Sequence, residues 1–183
     1  MAARNKYAEF KKAMKASPAM HLQRKGDTAY ITNGAIMLRV PYSIYESQFA
    51  DGGKFFPEIP NGASFSRRRK GDPLLGSGMD CERAWESFPE THADDLDPIE
   101  LTGISCRAMY NEVDVTLCRG KVLTFASYYV GIAYDLNMEL LTHAERKNAP
   151  AYGSSPYGEI LLLPVRNKSV QEHLLRIAEQ IAK

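Results

Sequence analysis

Gly158-Glu-Ile-Leu-Leu-Leu-Pro-Val-Arg166 is the stretch on which the reading of this chain turns. A glycine turn opens it, Ile160 to Leu163 form an unbroken apolar run, and proline and arginine close it. A half-exposed strand alternates apolar and polar residues, so a continuous run of this kind reads as a strand buried on both faces. The other elements are therefore expected to pack on both sides of it.

Upstream of this strand, Asn148-Ala-Pro-Ala-Tyr152 and Gly153-Ser-Ser-Pro-Tyr-Gly158 are turn-rich approaches. In 126–141, Tyr129, Ile132, Ala133 and Leu136 recur at helical spacing and predict a helix, which Val122-Leu-Thr-Phe125 enters. Residues 99–109 and 112–118 read as strands, the second alternating Val113, Val115 and Leu117 with Glu112, Asp114 and Thr116 before the Arg119-Gly120 turn. Downstream, Ser169 and Glu172 form a capping box. With Val170, Leu174, Ile177 and Ile181 on one face, they predict a helix over 169–183 that docks on the domain or on a partner.

The front of the chain has a similar organisation. A helix is expected from a cap at Asn5 to Ala16, where Ser17-Pro18 stops it. Tyr7, Phe10 and Met14 fall on one face, and Lys11, Lys12 and Lys15 lie mostly off that stripe. The basic side is either a solvated surface or a helix presented to a phosphate backbone. Strand-like runs at 20–25, 28–32 and 35–40 follow, separated by Gly26-Asp27 and Asn33-Gly34 and ended by Pro41, which reads as an antiparallel meander. Residues 47–73 hold so many turn formers that they read as a loop excursion, with Phe55, Phe56 and Phe65 docking part of it. The segment 81–90, with Trp85 and Phe88, fits either a strand or a short helix.

At 183 residues, with 44% hydrophobic and 25% charged residues, the chain suits a single α+β domain with a core of its own. The net charge is only +1, so attraction to nucleic acid has to come from charge distribution. That distribution is uneven: Lys11, Lys12, Lys15, Arg24 and Lys25 make the front basic, Arg67-Arg68-Arg69-Lys70 is a basic run, and Glu82 to Glu100 is acidic. The alternative is two solvated faces that balance. The odd, widely spaced Cys81, Cys106 and Cys118 fit a reduced cytoplasmic protein. No apolar run approaches the ~20 residues of a membrane span, so no membrane partner is expected.

Little in the sequence suggests catalysis. His21, His92, His143 and His173 are scattered, Asp94, Asp95 and Asp97 read as a solvated turn before a metal site, and Gly76-Ser77-Gly78 lacks the lysine of a phosphate loop. The expectation is a non-catalytic protein with no metal and no cofactor. Tyr128-Tyr129 can stack on bases or pack into the core.

Two segments share one order, a helix followed by strands that end in an apolar run and a proline: 7–41 and 124–164. In the second, Gly120-Lys-Val-Leu-Thr-Phe-Ala-Ser-Tyr-Tyr-Val-Gly-Ile-Ala followed by Gly-Glu-Ile-Leu-Leu-Leu-Pro-Val-Arg resembles the end of a bacterial DNA sliding clamp, the polymerase processivity factor. In the first, Thr28-Ala-Tyr-Ile-Thr-Asn-Gly-Ala-Ile-Met-Leu-Arg-Val-Pro resembles the hairpin of a clamp domain.

The resemblance implies a clamp-like domain of antiparallel sheets with two pseudo-equivalent helices, spanning 1–183 with the excursion at 47–73 and the added helix at 169–183. It implies sequence-independent contact with duplex DNA, carried here by Lys11, Lys12, Lys15, Arg24 and Lys25. It also implies a hydrophobic cleft for short peptides of replication proteins, including those of phage or mobile elements, at Leu163, Pro164 and Val165. Family clamps carry three domains per chain, so a single domain forms a ring only as a homo-oligomer. The helix at 126–141 departs from the pattern, since it carries Asp135 and Glu139 and no basic residue. The alternative reading is a protein-interaction or regulatory module without DNA binding; a small hydrolase would need an acidic metal site.

Overall fold

The structure is a computed structural model that describes residues 5–52, 55–69, 74–76, 78–91, 94–108, 111–146 and 148–165. In chain order the elements are α1 (Ala8–Ala16), β1 (Met20–Lys25), β2 (Thr28–Thr32), β3 (Ile36–Pro41), α2 (Tyr42–Ile44, continued by a π turn over Tyr45–Phe49), β4 (Ser64–Arg67) and β5 (Leu75–Gly76). They continue as α3 (Cys81–Glu86), β6 (Asp97–Pro98), β7 (Glu100–Ala108), β8 (Asn111–Cys118), β9 (Lys121–Ala126), α4 (Ser127–Asp135), β10 (Glu139–Thr142), β11 (Ala151–Ser155) and β12 (Gly158–Leu162). The fold is α+β with antiparallel sheets. Among the described residues, nine strands form one sheet in the order β5-β4-β1-β2-β3-β12-β11-β10-β6, and β7-β8-β9 form a second.

The apolar run at 160–163 supplies an interior strand, as its composition demands. β12 lies between β3 and β11, and successive side chains point to opposite faces. Ile160 and Leu162 enter the main core with Phe10 and Met14 of α1 and Val130, Ile132 and Ala133 of α4. Leu161 joins a smaller cluster with Tyr30, Met37, Cys81 and Trp85 on the face covered by α3. Burying each such aliphatic side chain stabilises the fold by ~1.5–3 kcal/mol, so losing either covering layer would be costly.

The meander β1-β2-β3 forms as read, with Pro41 as its last residue. Its second turn is one residue longer than the Asn-Gly pair alone predicts: strands end at Thr32 and restart at Ile36. Gly34 takes φ +86° there, and Asn33 Oδ1 accepts hydrogen bonds from the amides of Ala35 and Ile36. α1 begins later than its Asn5 cap suggests. Asn5 Oδ1 accepts from the Tyr7 amide in a preceding turn, and the helix proper starts at Ala8. Tyr7, Phe10 and Met14 are buried, as their spacing requires.

Three expectations are corrected. The helix expected over 126–141 ends at Asp135, because Asn137 adopts φ +55° and turns the chain into β10, where Leu140 is a buried strand residue. Within the excursion expected at 47–73, the described residues pack more deeply than the turn formers suggest. Phe49, Phe56 and Ile59 are fully buried, and Ser64–Arg67 pairs with β1. Arg67, read as part of an exposed basic run, is 2% exposed and donates through Nη2 to the carbonyls of Met14 and Ser17, closing the C-terminal end of α1. The open segment 81–90 resolves as helix α3, capped by the Asp80 carboxylate accepting from the Arg83 amide. The helix expected at 169–183 lies outside the described residues.

α1 is tied to the far hairpin by Tyr7, whose hydroxyl donates to the Tyr157 carbonyl at 2.7 Å. Burial pushes its phenol up to about 12, and burial with the Glu159 contact does the same for Tyr152. An unfolded tyrosine ionises near ~10. The fold favours the neutral form, so this contribution to stability is intact below pH ~10 and lost as pH rises towards 12. Urea midpoints measured from pH 9 to 11.5 should fall, and Tyr7→Phe should make that fall shallower. An unchanged slope in Tyr7→Phe would rule Tyr7 out as a contributor.

Candidate nucleic-acid and partner interface

α1 and α4 lie on the same face of the large sheet and touch one another. Tyr128 Oη donates to the Glu9 carbonyl at 3.1 Å and to its carboxylate at 3.3 Å, and Lys6 Nζ donates to the Asp135 carbonyl at 3.2 Å. The two helices therefore present one surface. Its α1 half is basic; its α4 half exposes Tyr128, Gly131, Tyr134 and Asp135.

The lysines of α1 are held differently from one another. Lys12 projects furthest, 72% exposed, with Glu9 at 3.4 Å. Lys15 lies 3.8 Å from Asp51 and over the Phe55 ring. Lys11 bends sideways, donating to the Gln48 carbonyl at 3.0 Å above Phe49 and Phe56. Together with Asn5 and Ala8 they border a shallow depression of about 550 Å³.

Arg24 and Lys25 do not join them. Arg24 stacks on the Tyr42 ring at 3.5 Å and donates to the carbonyls of Gly26 and Ile59, which spends its guanidinium on the fold. Lys25 alternates to the opposite face of β1, where Gln23 accepts from the Glu82 amide, and pairs with the Glu82 carboxylate at 3.1 Å. The hydrogen bond from Lys25 to the Glu82 carboxylate raises the Lys25 pKa. The five cations that sequence proximity groups together are thus split between two faces.

Leu163, Pro164 and Val165 come together in one place. The Leu163 amide donates to Ala35 beside β3, and the Val165 amide donates to Thr124 of β9. Pro164 lies between them without an amide hydrogen, so the chain leaves one sheet and joins the other with no donor left over. These three residues wall a cleft of about 930 Å³ whose other side is α4, with Tyr128, Tyr129, Gly131 and Ile132. The Tyr129 hydroxyl accepts from Asn33 Nδ2 at 2.8 Å, which fixes that ring against the β2–β3 turn. Glu9, Glu112 and Asp135 complete the lining.

Tyr128, Tyr129 and Asp135 stand out in the sequence, but Glu9 and Glu112 do not, because they reach the cleft from distant segments. Gly131 in mid-helix is a further local signal: a glycine there costs about 1 kcal/mol relative to alanine without capping anything. Burial pushes the Cys81 thiol up to about 12 and also raises Cys118, the direction that disfavours a thiolate. Asp97 pairs with Arg119 at 2.7 Å. Among the described residues no group of three or more His, Cys, Asp or Glu side chains is placed to hold a metal ion, and no helix is long and apolar enough to cross a membrane. No family model matches the chain, and no curated protein or solved structure matches it significantly.

Proposed function

We propose that this protein is a non-catalytic, clamp-like module that lies against duplex DNA through α1 and docks replication proteins at Leu163, Pro164 and Val165. The observation that carries the reading is the repeated order: α1-β1-β2-β3 and α4-β10-β11-β12 each run helix then three antiparallel strands. The two units join at the β3–β12 pair, and both helices lie on one face. Such an arrangement offers a broad helical surface. Lysines on that surface suit phosphate contacts, which need no base-specific geometry.

Lys12 and Lys15 are the contacts expected to matter. Lys12→Ala with Lys15→Ala should weaken binding of a fluorescent duplex and reduce the dependence of log K on log salt by about 0.9 per lysine. Lys11→Ala should affect stability more than binding. No detectable duplex binding at low salt would sink the DNA reading. The second reading, a protein-interaction module without DNA binding, is favoured by one observation: the α4 half of the surface carries Asp135 and no cation.

A further inference from the structure

The cleft between α4 and residues 163–165 has an apolar floor and, among the described residues, a rim of one sign. Ile132, Leu163, Pro164 and Val165 supply the floor, and all three charged residues in the lining, Glu9, Glu112 and Asp135, are carboxylates. Lys12 pairs with Glu9 at 3.4 Å, and Lys6 donates to the Asp135 carbonyl and not to its carboxylate; Glu112 accepts from the Ser105 hydroxyl, and Asp135 is exposed. Such a rim repels a phosphate backbone at close range, so the cleft does not extend the DNA surface. Its aromatic wall points the same way. Tyr128 is 45% exposed and its hydroxyl is held by Glu9, which leaves an aromatic ring beside the carboxylates, the setting in which guanidinium and ammonium groups are stabilised.

Space in the cleft is kept open by a residue choice that packing does not require. A Cβ on Gly131 would meet no heavy atom within 4 Å, so no neighbour forces glycine at this position. A larger side chain would project from the exposed side of α4 into the cleft and leave the core untouched.

We propose that the occupant is a short segment of a partner protein that combines apolar anchors with flanking arginine or lysine. This rests on reading 163–165 as a docking edge and adds the charge class of what docks there. The apolar residues seat against Ile132, Leu163 and Val165, and the cations meet Glu112, Asp135 and the Tyr128 ring.

The test uses two fluorescein-labelled peptides with the same Leu-Leu-Phe core, one flanked by arginines and the other by aspartates, titrated with the full chain and read by anisotropy. The arginine peptide should bind at least ~10-fold more tightly, with an advantage that shrinks as salt rises. Glu112→Gln with Asp135→Asn should remove most of that advantage. Gly131→Leu should abolish binding of both peptides while the circular dichroism spectrum holds and the melting temperature does not fall. Equal binding of the two peptides, lost in Gly131→Leu, would keep the docking edge and overturn its preference for cations. Binding of neither would overturn both, as would binding that survives Gly131→Leu. If the protein instead self-associates and Gly131→Leu disperses it, the occupant is a second copy and the proposal fails.

Discussion

Gly158→Val should destabilise the protein by about 3 kcal/mol, the sum of overpacking and backbone strain. Gly158 opens β12 at φ +121°, a conformation that a β-branched residue scarcely reaches. A Cβ there would sit 2.6 Å from the Arg39 carbonyl oxygen and 2.7 Å from Val40 Cγ1. Both atoms belong to β3, the strand to which β12 is hydrogen-bonded, so neither can retreat without opening the ladder at Glu159 and Arg39. That ladder also carries the 2.7 Å Arg39–Glu159 ion pair, which Tyr152 joins through its hydroxyl. Chemical denaturation monitored by Trp85 fluorescence would measure the loss. A change below about 1 kcal/mol would mean that β12 can slide away from β3, and that their pairing is looser than the geometry requires.

Phe49→Ala should cost about 3–5 kcal/mol, the range for deleting a buried aromatic ring. The ring is fully buried and stands at a junction: it stacks on Tyr45 at 5.8 Å and 6°, and meets Tyr7 at 4.8 Å, Phe10 at 6.1 Å and Phe56 at 5.7 Å. Tyr7 and Phe10 belong to the α1 region, while Phe56 comes from the long connection after α2. Removing Phe49 thus loosens the helix and its support together. Lys11, whose ammonium lies 5.9 Å from the same ring, loses part of its seat as well. Phe49→Leu, which refills much of the volume, should recover more than half of the loss. If Phe49→Ala unfolds at the same denaturant concentration as the wild type, the aromatic junction does not hold α1 in place.

The parts of the fold that were legible in the sequence are those where local pattern and tertiary environment agree. Ile160 to Leu162 could not be anything but interior, and Tyr7, Phe10 and Met14 could face only one way on a helix. What stayed hidden was set by non-local packing. Leu140 fits a helical period as well as a strand, and only the left-handed Asn137 decides between them. In 47–73, Phe56 marks where part of the segment docks, but the turn residues carry no information about how deeply Ile59 is buried. Arg67 shows the same limit: an arginine in a basic run is buried because two helix-end carbonyls happen to need donors. In the candidate interface, Leu163, Pro164 and Val165, the proposed docking edge, were legible as a contiguous tripeptide. The carboxylates facing it were not, since Glu9, Glu112 and Asp135 are brought together by the fold alone.

The β3–β12 seam also has a bearing on the order in which the molecule can assemble. Arg39 and Glu159 face each other across the middle of the large sheet although 120 positions separate them in the chain. As the polypeptide leaves the ribosome, β1, β2 and β3 can form an antiparallel meander on their own, but the outer edge of β3 has no partner until β12 has been made. Through that interval the outer edge of the largely apolar β3 is an open row of amides and carbonyls. Closing so long a loop carries an entropic cost before any contact offsets it, so the seam belongs to the late, slow phase of folding.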